Sequence, residues 1–176
     1  MKDFLSLAKE RYSVRAYTGQ PVEQEKLAAI LEAGHVAPTA HNNQPQRVMV
    51  VQSAAGREKL SRAANLYGAP LALIVCADTG AAWQRSYDGM NSYQIDAAIV
   101  TDHMMLEAAD LGLGSVWICQ FQPDVVKEEF ALPQGIEPVN ILAVGYADTS
   151  VQPASPADRH SRTRLPLEKT TSSERS

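Results

Sequence analysis

The residues Leu-Ala-Leu-Ile-Val-Cys-Ala at positions 71–77 decide how the rest of this chain is arranged. An unbroken apolar run, without the polar alternation of a half-exposed strand, is typical of a β-strand that is buried on both faces. Such a strand lies in the middle of a sheet that is covered on both sides. We therefore predict a central sheet, with further strands at residues 48–51, 115–119 and 139–145.

Helical periodicity flanks this strand in both directions along the chain. Helices are predicted at residues 3–11, 22–35, 53–66, 94–111 and 124–130, and Gly112 is expected to end the fourth of them. The residues expected on the buried faces of the first, second and fourth helices are Phe4, Leu7 and Ala8; Leu27, Ile30, Leu31 and Gly34; and Ile95, Ala98, Ile99, Met105, Leu106 and Ala109.

Composition restricts the class of protein. A chain of 176 residues fits one domain with a substantial core, and its net charge of −4 argues against a surface built for nucleic acid. Cys76 and Cys119 lie in separate apolar runs, which indicates neither a disulfide framework nor a thiolate metal site. The first residues are too few and too charged for a signal peptide, and no apolar run is long enough to span a membrane. A cytoplasmic location is therefore expected.

The stretch Arg11-Tyr12-Ser13-Val14-Arg15 places two guanidinium groups and a hydroxyl within five residues. Arginine stays charged at any working pH and presents a planar fork of donors. Two such forks around a serine form a compact anion clamp that suits a phosphate group. The alternative interpretation is an ordinary solvated helix end.

Three further segments carry polar or aromatic side chains in unusual density. Residues 36–45 form a loop in which two prolines bracket amides and a hydroxyl, and residues 80–93 carry several large aromatic side chains. We interpret the second of these segments as mobile, with a lid as one role. An Arg-x-Arg pair follows at Arg162 and Arg164. Together with the clamp, these segments suit a ligand that has a phosphate, a polyol and a flat heteroaromatic ring, and flavin mononucleotide (FMN) fits that description.

Other motifs indicate no separate chemistry. Gly112-Leu113-Gly114 follows a helix and precedes a strand, which is the reverse of a dinucleotide-binding fingerprint. The histidines lack metal-ligand spacing, and no nucleophile elbow is present. Asp96 and Asp102 on the predicted long helix have two interpretations, either ligand binding or an ordinary role on a solvated face or as the cap of a neighbouring loop.

The chain resembles the FMN-dependent nitroreductases along nearly its whole length. Six pieces occur in the order found in that family: residues 11–15, 37–45, Asp96, 111–115, 144–146 and 162–166. Gln46 departs from the family pattern, which usually has Trp after the Gln-Pro pair, and this affects the packing beside the edge of the flavin ring.

The resemblance implies an α+β fold, with helices on both faces of a mixed, mainly antiparallel sheet, and a homodimer with FMN at the interface. It also implies a single domain over residues 1–169, in which residues 148–169 form an extended arm that reaches the partner subunit; residues 170–176 are expected to be disordered. No protein residue is expected to be catalytic. The implied cofactor-binding residues are Arg11, Tyr12, Ser13, Arg15, Ile118, Cys119, Gln120, Arg162 and Arg164, with Pro38, Thr39, Ala40, Asn42 and Gln44 from the other subunit.

The resemblance further implies an NAD(P)H-dependent flavin oxidoreductase that works by ping-pong hydride transfer through flavin N5. In this interpretation Arg15 reaches the N1/O2 edge of the ring and tunes it, and the acceptor is a nitroaromatic, a quinone or an activated alkene. Two alternatives remain open from the sequence. One is another flavin reaction on the same fold, such as dehydrogenation or reductive dehalogenation. The other is a non-enzymatic binder, either a flavin carrier or a basic-tailed nucleic-acid module.

Overall fold

The computed structural model describes residues 3–156 and 158–174 and is organised around a four-stranded antiparallel sheet. The strands are β1 (Gln46–Val51), β2 (Leu71–Asp78), β3 (Gly114–Ile118) and β4 (Ile136–Gly145). Their order across the sheet is β1-β2-β4-β3, so β2 and β4 lie in the middle. The prediction that residues 71–77 form a central strand is confirmed.

Successive residues of the two central strands enter two separate cores, one on each face of the sheet. Leu73, Val75 and Leu142 belong to one core, whereas Ile74 and Ile141 belong to the other. This division follows from the two-residue period of a β-strand. Because both sets are apolar, both faces must be covered by helices, as the sequence predicts.

Among the described residues, six α-helices surround the sheet. They are α1 (Phe4–Glu10), α2 (Gln24–His35), α3 (Ala54–Ser61), α4 (Tyr93–Asp110), α5 (Pro123–Glu129) and α6 (Arg159–Thr163). The helices α2 and α4 cover one face, and their close approach depends on Gly34, where an added Cβ would lie 2.8 Å from Met104. Residues of α5 and the end of α3 complete the core on the other face.

Two element boundaries differ from those predicted by three residues or more. The helix α3 ends at Ser61 instead of continuing to residue 66, because the chain turns immediately after it. The strand β4 begins at Ile136, three residues earlier than expected. A bulge opposite Val75 and Cys76 leaves Val139 as the extra residue of β4, and bulges are one of the few places where a strand tolerates a proline such as Pro138.

The predicted buried faces of α1 and α4 are partly wrong. Phe4 is 70% exposed and Ile95 is 51% exposed, although both were expected in the core. The core face of α4 instead carries Ala97, Val100 and Met104. Because α4 is apolar on more than one side, its periodicity alone does not select the face that packs on the sheet. The single chain therefore leaves large apolar side chains uncovered.

Within the described residues, no helix combines the length and the apolar character needed to cross a lipid bilayer. The same residues contain no cluster of three or more His, Cys, Asp or Glu side chains arranged to hold a metal ion.

Candidate functional site

The anion clamp is an extended segment held against the edge of β3. The Val14 N–H donates to the carbonyl oxygen of Ser115 at 3.0 Å, and the Val14 side chain is only 2% exposed. Since successive side chains of an extended segment point to opposite sides, Ser13 and Arg15 project away from the buried Val14. Ser13 and Arg15 line one cleft, and Arg11 lines the adjoining hollow, with Tyr12 common to both.

Gln152 holds the other edge of the same segment. Its Oε1 accepts from the Arg15 N–H at 2.5 Å, and its Nε2 donates to the carbonyl oxygen of Ser13 at 3.1 Å. This side-chain amide imitates the backbone of a neighbouring parallel strand, which also bonds to the residues on either side of its partner. The clamp is thus fixed on both edges, by β3 and by Gln152.

Two more arginines lie near Arg11. The Arg159 guanidinium donates to the carbonyl oxygens of Lys9 and Arg11. Burial of the half-buried Arg11 side chain lowers the pKa of its guanidinium, and the positive charges of Arg159 and Arg164 lower it further, whereas the Asp102 carboxylate opposes this. The local excess of positive charge favours binding of an anion.

Arg162 and Arg164, which the sequence groups as one pair, have different surroundings. Arg164 lies within electrostatic reach of Arg11. Arg162 instead forms an exposed ion pair with Asp158, with 3.1 Å between Nη2 and Oδ1. Within one chain, only Arg164 of this pair lies near the positive charges of Arg11 and Arg159.

The amide-rich loop has an unusual backbone. Residues 40–42 form a short 3-10 helix, and His41, Asn42 and Gln44 have φ angles of 54°, 54° and 51°. Positive φ angles are uncommon outside glycine, and clusters of them occur where the surrounding structure enforces a functional geometry. Pro38, Asn42 and Gln44 are exposed, so their polar groups are accessible to a ligand.

Asp96 anchors this loop from the first turn of α4. The carboxylate is only 1% exposed; its Oδ1 accepts from the Ala40 N–H at 2.8 Å, and its Oδ2 accepts from the Ser92 hydroxyl at 2.7 Å. The Thr39 hydroxyl also accepts from the Gln44 N–H at 3.1 Å. Of the two roles considered for Asp96, the structure supports that of a cap for a neighbouring loop.

The aromatic segment between β2 and α4 packs against the amide loop. The rings of His41 and Trp83 are stacked with their centroids 5.8 Å apart, and Asn43 Nδ2 donates to the carbonyl oxygen of Ala81 at 3.0 Å. A bridge between Gln84 and Asn91 closes the segment into a hairpin-like turn, and Tyr87 at its tip is 94% exposed.

The remaining predicted site residues lie at the far end of β3. Ile118 is buried, and Cys119 and Gln120 are exposed directly after the strand. Gln46 starts β1 on the other side of the sheet; its Oε1 is buried, and no described residue donates a hydrogen bond to it. A ligand or a second chain can satisfy such an acceptor.

A single chain does not bring the anion clamp and the amide loop together. Asp96, which holds the loop, lies in the first turn of α4, whereas Arg11 and Tyr12 line a hollow with Ala109 from its last turn. Thirteen residues separate those positions along the helix, a rise of about 20 Å. The two edge strands, β1 and β3, also separate the loop from the clamp across the sheet.

Gln152 and Arg159 are parts of the site that the sequence analysis missed. Both contact backbone groups more than 130 positions earlier in the chain, and such contacts leave no trace in local periodicity. The available signal for Arg159 was its place three residues before Arg162 in a tail otherwise rich in small and polar residues.

The fold and the site define a class of protein. It is an α+β domain whose sheet has helices on both faces, with an arginine-rich anion clamp beside one edge strand and the amide loop beside the other. The nitroreductase family model matches residues 8–66 and 57–146, and the chain belongs to that family. It is 49% identical to a nitroreductase family protein of Clostridium difficile 630, whose crystal structure superposes with a TM-score of 0.95 over 99% of both chains.

Two other relatives have more specific names. The chain is 31% identical to the Bacillus subtilis protein named FMN reductase [NAD(P)H], over 96% of this chain and 72% of that one. It is 26% identical to an FMN-dependent nitroreductase of Clostridium difficile R20291, with a TM-score of 0.74 over 93% of this chain and 98% of that one.

Proposed function

We propose that this protein is an NAD(P)H-dependent flavin oxidoreductase that binds FMN. The observation that carries the proposal is the anion clamp, in which an extended Arg-x-Ser-x-Arg segment is pinned on both edges and lies beside further guanidinium groups. The family and the names of its relatives support the same cofactor and electron donor.

The residues present fit the two chemically different ends of FMN. A phosphate needs charged donors, which Arg11 and Arg164 provide, together with the Ser13 hydroxyl. A flavin ring offers alternating donors and acceptors along one edge, and the exposed amides of Asn42 and Gln44 carry both kinds of group. The strained loop holds those amides in place before any ligand binds, which reduces the ordering cost of binding.

The bound flavin supplies hydride acceptance and donation at N5, and the chain supplies position and charge. Arg15 provides a permanent positive charge, and its backbone N–H is held by Gln152. We assign its side chain to the N1/O2 edge of the ring, where a fixed cation favours electron gain. Electron donor and acceptor use one slot beside the ring, so the kinetics are ping-pong, with nitroaromatics, quinones or activated alkenes as acceptors.

The active form in this proposal is a homodimer. Because the clamp and the amide loop lie toward opposite ends of α4, we propose that the loop that meets the flavin comes from a second copy. The single chain also leaves an apolar groove of about 660 Å³ between α1, α2 and α4, lined by Phe4, Leu7, Val36 and Leu106. Uncovered apolar surface of this kind is typical of protein–protein contacts. The residues after Arg164, and not the whole arm of residues 148–169, are proposed to reach the partner subunit, because Gln152, Arg159 and Arg164 lie beside the clamp of their own chain.

The function is tested by the flavin content and the reactivity of the purified protein. We expect up to one FMN per chain, and anaerobic stopped-flow mixing with NADH and with NADPH should bleach the flavin absorbance. A panel of acceptors then restores it and identifies the acceptor class. Protein that binds FMN but is reduced by neither nicotinamide would be a flavin carrier, and protein that binds no flavin would contradict the proposal.

A further inference from the structure

Arg159 is a cation that neither the sequence motifs nor the family resemblance assigns to the site. It begins α6, yet its side chain is half-buried and contacts the other end of the chain. It also lines a polar cleft of about 520 Å³ together with Ser13 and Arg15. Arg159 therefore lies beside the anion clamp, and its contacts indicate what it does there.

The contacts of Arg159 are directed at the point where α1 becomes the clamp. Its Nη1 donates to the carbonyl oxygen of Lys9 at 3.0 Å, and its Nη2 donates to the carbonyl oxygen of Arg11. The helix α1 ends at Glu10, so these carbonyls belong to its C-terminal end, where a cation is favoured. The planar fork of arginine allows one side chain to hold both carbonyls at once.

The same position brings two like charges together. Arg159 lowers the pKa of the half-buried Arg11 guanidinium, in addition to the larger effect of burial. Two neighbouring cations repel each other, and an anion that binds beside both of them relieves the repulsion.

We propose that Arg159 is a positioning residue of the anion clamp, which holds the Arg11 carbonyl and thereby the direction of the Arg11 side chain for a phosphate group. This inference rests on the proposed function, since FMN is the phosphate-bearing ligand. Capping of α1 is the alternative role. The two roles predict different effects. Loss of a positioning residue weakens binding of the phosphate group, whereas loss of a helix cap lowers the stability of the chain.

The test compares two flavins, because riboflavin lacks the phosphate of FMN. Apoprotein is titrated with each flavin, and dissociation constants are measured from the quenching of flavin fluorescence. In Arg159→Gln we expect FMN to bind about ten- to fiftyfold more weakly, whereas riboflavin affinity changes by less than about twofold. Arg159→Lys keeps the charge but cannot fork to two carbonyls, so an intermediate loss for FMN is expected.

The control is Lys127→Gln, which removes one cation from an ion pair with Glu137 on a different part of the surface. It should leave both affinities unchanged. Equal losses for the two flavins in Arg159→Gln would show that Arg159 only caps α1, and unchanged affinities would show that it does not position the clamp. If Arg159→Gln does not fold, the ratio of the two affinities in Arg159→Lys decides by the same criterion. Wild-type protein that binds neither flavin would contradict the proposed function itself.

Discussion

Arg11 is the residue whose replacement should affect phosphate binding most directly. It lies half-buried at the start of the clamp, with Arg159 bound to its carbonyl oxygen. Arg11→Ala removes a charge-assisted contact worth roughly 1.5–3 kcal/mol, which corresponds to about a ten- to hundredfold loss of FMN affinity. Titration of the apoprotein measures this loss. Unchanged FMN retention in the variant would exclude the phosphate role of Arg11.

Asp96 should stabilise the amide loop and, through it, the fold. Asp96→Ala leaves the Ala40 N–H and the Ser92 hydroxyl without their acceptor, at a cost of about 1–3 kcal/mol for each buried group. In Asp96→Asn the Ser92 hydroxyl can rotate to accept from the new amide, so a smaller loss is expected. Chemical denaturation measures the free energy of unfolding. Equal stability of wild type and Asp96→Ala would show that the carboxylate does not hold the loop.

The two cysteines should differ sharply in reactivity. Burial, with a smaller contribution from Glu137, raises the pKa of Cys76 to about 11, whereas Cys119 is exposed. The unfolded thiol ionises near its ordinary pKa of 9.0. The protonated Cys76 therefore makes its full contribution to folding stability below that pH, and this contribution is lost as the pH rises toward about 11. At pH 8, a thiol reagent should label one cysteine per native chain rapidly and the second only after denaturation. Rapid labelling of both cysteines in the native protein would contradict the burial of Cys76.

At the scale of the elements, the sequence predicted best where one physical requirement dominates. The run at residues 71–77 could only be a strand buried on both faces, and Gly112 adopts a φ of 78° directly after the long helix, as a C-terminal cap requires. The face of α4 was predicted less well because apolar residues occur on several of its sides. One of those sides is the uncovered surface that we assign to the dimer.

The site was only partly predictable for a different reason. The residue types of the clamp and the loop are local signals, so Arg11, Ser13 and Gln44 could be selected from the sequence. The left-handed backbone at His41, and the pinning of the clamp by Gln152, depend on contacts across the fold. No local pattern encodes them.

The tail after β4 has two parts with separate roles, and two truncations distinguish them. A chain that ends at Ser161 keeps Gln152 and Arg159, which hold the clamp of the same chain, but loses Arg162 and Arg164. We expect it to bind FMN more weakly and to dimerise less tightly. A chain that ends at Ser150 also loses both clamp contacts and should retain almost no FMN.

Flavin absorbance after gel filtration and sedimentation of each truncated chain measure these effects. If the chain that ends at Ser161 remained a fully flavin-loaded dimer, the residues after it would be dispensable for both the cofactor and the interface. Equal flavin loss in the two truncations would show that Gln152 and Arg159 add nothing to the clamp.

For the whole molecule, we propose that each cofactor site is assembled from two chains. Asp96, which holds the amide loop, and Ala109, which lines a hollow with Arg11, are about 20 Å apart by the rise of α4. If one FMN contacts both the clamp and the loop, we expect the loop to come from the partner. Loss of the dimer is then expected to cause loss of the cofactor.

Complementation between two defective chains tests whether each site is shared in this way. One chain carries Arg11→Ala in the clamp, and the other carries Asn42→Ala and Gln44→Ala in the loop; the two are co-expressed with different tags, and the mixed dimer is purified. We expect each variant alone to bind FMN poorly and the mixed dimer to bind one FMN tightly, because the intact clamp of one chain meets the intact loop of the other. A mixed dimer that binds FMN no better than either variant alone would show that each site is built from a single chain and not from two.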